Sequence, residues 1–154
     1  MFYDQLFPGT INILGTKWKI TIAKYEDDPY FKKYDANGYC SAPEHFICIC
    51  DESTWPANKD ESTLFIVNSM KCALRHEIVH AFFRESGLYD SSFKYDGSWA
   101  NNEEMVDWFA LQGPKIFKAW EEAHCLEVIS PEEWMKEELL KASTEWKVGE
   151  NNGK

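Results

Sequence analysis

Apolar and polar residues alternate over the first part of the chain, with Ile11 and Ile13 before Gly15 and with Trp18, Ile20 and Ile22 after it. A period of two predicts strands, so Thr10 to Tyr25 reads as two strands around a turn. The polar, aromatic stretch from Glu26 to Asn37 predicts a short helix that ends at Gly38. Tyr39 to Ser41 and His45 to Cys50 then flank Ala42-Pro43-Glu44, which predicts a second hairpin with a strongly apolar later strand. The front third is therefore expected to form a small sheet.

Asp51 to Thr63 is polar and contains Pro56 and Asn58, the composition of a loop. Beyond it the period changes to that of a helix. Met70, Leu74, Ile78 and Phe82 recur every four residues, Asn68 or Ser69 can cap the start, and Gly87 marks the stop. A second helix is expected from Asn102 to Gln112, ending at Gly113-Pro114, and a third from Lys115 to His124. Ser130-Pro131-Glu132-Glu133 combines an N-cap, a proline at the first helical position and a capping-box glutamate, opening a last helix through Trp134 and Leu139. The expected architecture is α+β, a small antiparallel or mixed sheet packed on a central helix with further helices after it. One domain is expected over residues 1–148, with a disordered tail over 149–154.

Composition agrees with a globular chain: 154 residues, 44% apolar, with seven Trp and ten Phe. A net charge of -10 excludes nucleic acid as a favoured partner, because an acidic surface repels the phosphate backbone. Residues 1–9 lack a basic segment followed by an apolar one, and no run of the sequence has the length of a membrane span. A cytoplasmic protein with no membrane partner is expected. The five cysteines, Cys40, Cys48, Cys50, Cys72 and Cys125, are odd in number and sit in apolar surroundings, which predicts reduced thiols. Cys48 and Cys50 alternate with Ile47 and Ile49 and lack a second Cys or His pair, so they read as strand packing rather than a metal site.

The chemistry concentrates in Leu74-Arg75-His76-Glu77-Ile78-Val79-His80-Ala81-Phe82-Phe83, an H-E-x-x-H pattern inside a predicted helix. At about 100° and 1.5 Å per residue, His76 and His80 lie roughly 40° and 6 Å apart, so their imidazoles can converge on one ion. Glu77 is positioned to reach water at that ion without being a ligand, which is what a general base requires. Leu74, Ile78, Ala81 and Phe82 would anchor the opposite face, leaving Ala73, His76, Glu77 and His80 on the polar one. Zinc is the expected metal, one ion, held by three protein ligands with a fourth position open to water.

The third ligand must come from elsewhere. A metzincin extension would place Gly at 83 and His at 86, where the chain has Phe83 and Ser86. A gluzincin takes a glutamate from a later helix, and Asn102-Glu103-Glu104-Met105-Val106-Asp107-Trp108-Phe109-Ala110 offers one. Glu103 shares a helix face with Val106, Asp107 and Ala110 and is preferred. Asp107 would then accept the second ring N–H of a ligating histidine. Glu104 is the substitute and His124 a more distant choice. A Cys72 ligand, one turn before His76, would indicate a structural zinc instead. Tyr89, Tyr95 and Arg84 are near enough in sequence to be considered as donors to a developing oxyanion.

His76 to Phe83 followed by Asn102 to Ala110 resembles the small gluzincin-like peptidases of the ImmA/IrrE type, and especially the short metallopeptidase-like proteins encoded by phages and prophages. The resemblance covers roughly Gly38 to Ala119, with the usual Glu-Ala-Asn around the third ligand replaced by Glu103 to Asp107. It implies a minimal zincin-like fold, zinc binding, hydrolysis of a protein or peptide substrate, and a phage or mobile-element setting. A reading of a different class is a regulatory binding module that keeps this scaffold without proteolysis; the intact Glu77 weighs against it.

Overall fold

The computed structural model describes residues 2–91, 103–136 and 138–140; the expected starts and ends at Asn102 and beyond Val148 lie outside these residues. The order of elements is β1 (Thr10–Ile13), β2 (Thr16–Lys24), α1 (Pro29–Tyr34), β3 (Gly38–Ser41), β4 (Phe46–Asp51), α2 (Thr63–Glu85), α3 (Leu88–Ser91) and α4 (Glu103–Glu122). Short 3-10 turns precede β1 and follow β4. The four strands form one mixed sheet in the order β1-β2-β4-β3, so the class is α+β. Among the described residues no helix is long and apolar enough to cross a membrane.

The first hairpin forms as its alternation predicts. Leu14 and Gly15 both have positive φ (51° and 97°), the requirement of a two-residue turn matched to the twist of its strands, and the Gly15 N–H donates to Asn12 Oδ1 at 2.9 Å. From β2 the chain crosses through α1, capped by Asp28 and started by Pro29. It returns as the β3–β4 hairpin. β4 enters beside β2 in parallel, Ile20 opposite Ile47, and β3 is left at the edge. The apolar strand β4 is interior to the sheet, with β2 and β3 covering its two sides. The edges are β1 and β3.

Alternation along β4 sends its residues into two cores. Ile47 and Ile49 join Ile11, Ile13, Trp18 and Ile20 against α2, where Met70, Leu74, Ile78 and Phe82 are buried. Cys48 and Cys50 point the other way, onto Phe31 of α1. All five cysteines are free; Cys48, Cys50 and Cys125 are buried as expected, whereas Cys72 is exposed and Cys40 half-buried.

Two helix boundaries differ from the sequence reading. α2 begins at Thr63, capped by Ser62, whose Oγ accepts from the Phe65 N–H at 3.2 Å. Asn68 and Ser69 lie inside the helix and use their polar groups at long range. Asn68 exchanges two hydrogen bonds with the Ile129 backbone, and the Ser69 hydroxyl donates to Glu52 at 2.8 Å. α4 runs unbroken through Gly113-Pro114. Gly113, Ile116, Ala119 and Ala123 make one buried stripe in helical phase, and holding that stripe against α2 outweighs the hydrogen bond the proline cannot make. The capping box forms as predicted, with Ser130 and Glu133 bonding each other's N–H groups, and helix follows over 131–136.

Candidate metal centre

α2 is held in place at both ends by buried or half-buried carboxylates. Near its start, Glu52 accepts from Ser69, Asn37 and Asn58. Burial pushes its pKa up, and those three donors oppose the shift. At its end, Glu85 accepts from Trp18 Nε1 at 2.8 Å and from Thr16 Oγ1 at 2.9 Å, tying the helix to β2. A third set of contacts runs along the side: Asn68, Lys71 and Arg75 each donate to a backbone carbonyl of the segment 125–129. None of these contacts is close in sequence, so none was legible there.

On this fixed helix His76 and His80 are exposed side by side, with Nε2 atoms 3.0 Å apart and ring centroids 4.6 Å apart. Two nitrogens bound to one zinc at about 2.0–2.1 Å in tetrahedral geometry would be about 3.3 Å apart. The pair therefore fits a shared cation with a shift of a few tenths of an ångström. His80 is held below the ordinary imidazole range by burial first, then by His76 and by Arg84. A lowered value favours the neutral ring, the form that ligates a metal.

Glu77 is not on the open stripe. It is 7% exposed and faces the sheet, as does Ala73, which joins the core, so the polar face drawn from the sequence is narrower than expected. The register of β3 explains this. Gly38 and Cys40 pair with Ile49 and Ile47, and so share the face of the sheet that packs on α2. A Cβ at Gly38 would stand 3.1 Å from Glu77 Cγ, and the Cys40 thiol lies near enough to the Glu77 carboxylate to favour its charged form. Burial pushes the Glu77 pKa up to about 7, with the Cys40 contact opposing the shift. A carboxyl poised near neutrality can both accept and return a proton at physiological pH. Cys40 itself is pushed up to about 11, by burial first and then by Glu77, so it stays a thiol.

The structure thus brings His76 and His80 together as the H-E-x-x-H spacing predicts, while Glu77 of the same helix is buried against Gly38 of β3. Among the described residues no group of three His, Cys, Asp or Glu side chains surrounds a common point. Glu104 is exposed on α4, His124 follows the end of that helix with φ 55°, Cys72 is exposed, and none of the three completes the pair. The side chains of Glu103 and Asp107, and all of Tyr95, lie outside the described residues; α4 starts at Glu103. α4 meets α2 just beyond the histidines. Trp108 stacks on Phe83 at 4.7 Å, and its Nε1 donates to Ser86 Oγ at 3.0 Å. The Cys40 contact with Glu77 was missed from sequence, since it depends on which face of β3 meets α2. Comparison of the chain with known protein families, with curated proteins and with solved structures finds no match.

Proposed function

We propose that this chain is a zinc-dependent metallopeptidase with a minimal zincin-like fold, in which His76, His80 and Glu103 hold one zinc ion and Glu77 is the general base. The observation that carries the reading is the pair of imidazole Nε2 atoms 3.0 Å apart beside a buried carboxylate on the same helix. The α+β order, a small sheet ahead of the H-E-x-x-H helix with the next long helix opening on Glu103, supports it. Zinc, when bound, supplies a Lewis acid that polarises the scissile carbonyl and acidifies water.

The remaining work falls to the chain. The Glu77 carboxylate takes the proton of the attacking water and returns it to the leaving amine. Gly38 leaves room for that carboxylate, and the Cys40 thiol favours its charged form. β3 is the sheet edge beside Glu77, and its outward backbone groups give an extended protein or peptide substrate a strand to pair with.

The test is direct. The full chain loaded with one equivalent of zinc is incubated with an unfolded protein, and new termini are read by mass spectrometry. Cleavage that stops on chelation and resumes with zinc is expected. No new termini from a chain shown to hold zinc would contradict the peptidase reading and favour a binding module.

A further inference from the structure

Arg84 follows His80 by four positions on α2, one helical turn or about 6 Å further along the axis, and its side chain is exposed. Its guanidinium carbon lies 3.1 Å from the centroid of the Tyr89 ring in α3. Stacking fixes the plane of the guanidinium and leaves its N–H edges available to a planar acceptor. Its charge acts on His80 of α2 and on Cys40 of β3.

No carboxylate neutralises Arg84 among the described residues. The positions one turn away, His80, Ala81, Gly87 and Leu88, carry none, and the neighbouring Glu85 has its oxygens taken by Thr16 and Trp18. Glu77 is buried against Gly38 of β3. In a chain with 26 acidic and 16 basic residues, an arginine one turn from the histidine pair with no acidic partner among the described residues stands apart. The helix dipole favours a cation in the last turn, but it does not account for the stacking on Tyr89.

We propose that Arg84, stacked on Tyr89, binds a carboxylate of the peptide substrate and so determines which bonds are cleaved. The proposal rests on the peptidase reading above. An extended peptide advances about 3.3 Å per residue, so one helical turn corresponds to about two residues. The carboxylate belongs either to an acidic side chain about two residues from the cleaved bond or to a free C-terminus at that distance. Bidentate pairing with the guanidinium fork recognises both, and a lysine cannot reproduce it.

The experiment uses a library of acetylated hexapeptides, each position varied among Ala, Leu, Gln, Glu and Lys, made once with amidated and once with free C-termini. The zinc-loaded full chain is compared with Arg84→Gln and Arg84→Lys. Cleavage is followed by mass spectrometry, and binding by NMR titration of the same proteins. Wild type is expected to prefer carboxylate-bearing members at least tenfold. In Arg84→Gln their kcat/KM should fall to that of the neutral peptides, through KM rather than kcat, and Arg84→Lys should recover only part of the loss. Preference within the amidated set assigns the carboxylate to a side chain; preference confined to free termini assigns it to the C-terminus. Equal use of charged and neutral peptides by wild type, a preference that survives Arg84→Gln, or an equal fall in kcat on every peptide would overturn the proposal. If nothing is cleaved, the peptidase reading fails, and the titration still decides for Arg84. Carboxylate-dependent binding lost in Arg84→Gln upholds the site, and its absence in wild type overturns it.

Discussion

Glu77→Gln is expected to abolish hydrolysis and, at the same time, to make the metal-free protein more stable at pH 8. The first effect follows from the loss of the proton acceptor, a contribution of about 10²–10⁴ in rate. The second follows from burial. The folded chain holds the Glu77 proton up to about pH 7, whereas the unfolded chain releases it near the ordinary glutamate value of 4.5. Between those values the folded state binds more protons than the unfolded one, so stability is lost as pH rises through the interval. Glutamine has the same shape and no charge to bury. Its gain at pH 8 should be on the order of 2 kcal/mol, allowing for screening and for the altered Cys40 contact. Urea denaturation of chelated protein at pH 5 and pH 8 measures it. A wild-type stability that rises over this range, with Glu77→Gln the weaker protein at pH 8, would contradict the burial of the carboxylate.

Gly38→Ala should damage both stability and turnover while leaving the metal in place. A Cβ there would lie 3.0 Å from Ile49 Cδ1, 3.1 Å from Glu77 Cγ and 3.4 Å from the Cys48 carbonyl oxygen. Ile49 is fully buried and the carbonyl belongs to the sheet, so the neighbour that can give is Glu77. Overpacking of this kind costs about 1–3 kcal/mol, and moving the carboxylate takes the proton acceptor away from the histidine pair. Gly9→Ala is the control, since nothing lies within 4 Å of a Cβ at that position. Thermal unfolding and peptide turnover of both variants, with zinc content measured alongside, test the expectation. A Gly38→Ala protein as active as Gly9→Ala would show that β3 does not position Glu77.

Helix α2 was legible because its signal is local. H-E-x-x-H needs only helical spacing, and Leu74, Ile78 and Phe82 supply the phase. The first hairpin and the Ser130 cap were legible for the same reason. What sequence could not show depends on distant contacts. The start of α2 at Ser62 was hidden because Asn68 and Ser69 are also good caps, yet their side chains bond Ile129 and Glu52. Gly113-Pro114 reads as a stop, and the buried stripe through Ile116 and Ala119 overrides it. The parallel pairing of β2 with β4 cannot be read from alternation, which fixes a strand's faces but not its neighbours. That pairing leaves β3 at the edge beside Glu77. The burial of Glu77, the Cys40 contact and the crowding at Gly38 therefore emerge only with the fold.

Elemental analysis of metal bound to the purified full chain, beside His80→Ala, Glu103→Ala and Glu104→Ala, tests the central claim most directly. One zinc per chain, lost with His80→Ala and with Glu103→Ala but kept with Glu104→Ala, is the predicted result. A wild-type chain that holds no stoichiometric metal after chelator-free purification and zinc resupply, or one whose metal survives His80→Ala, would contradict it.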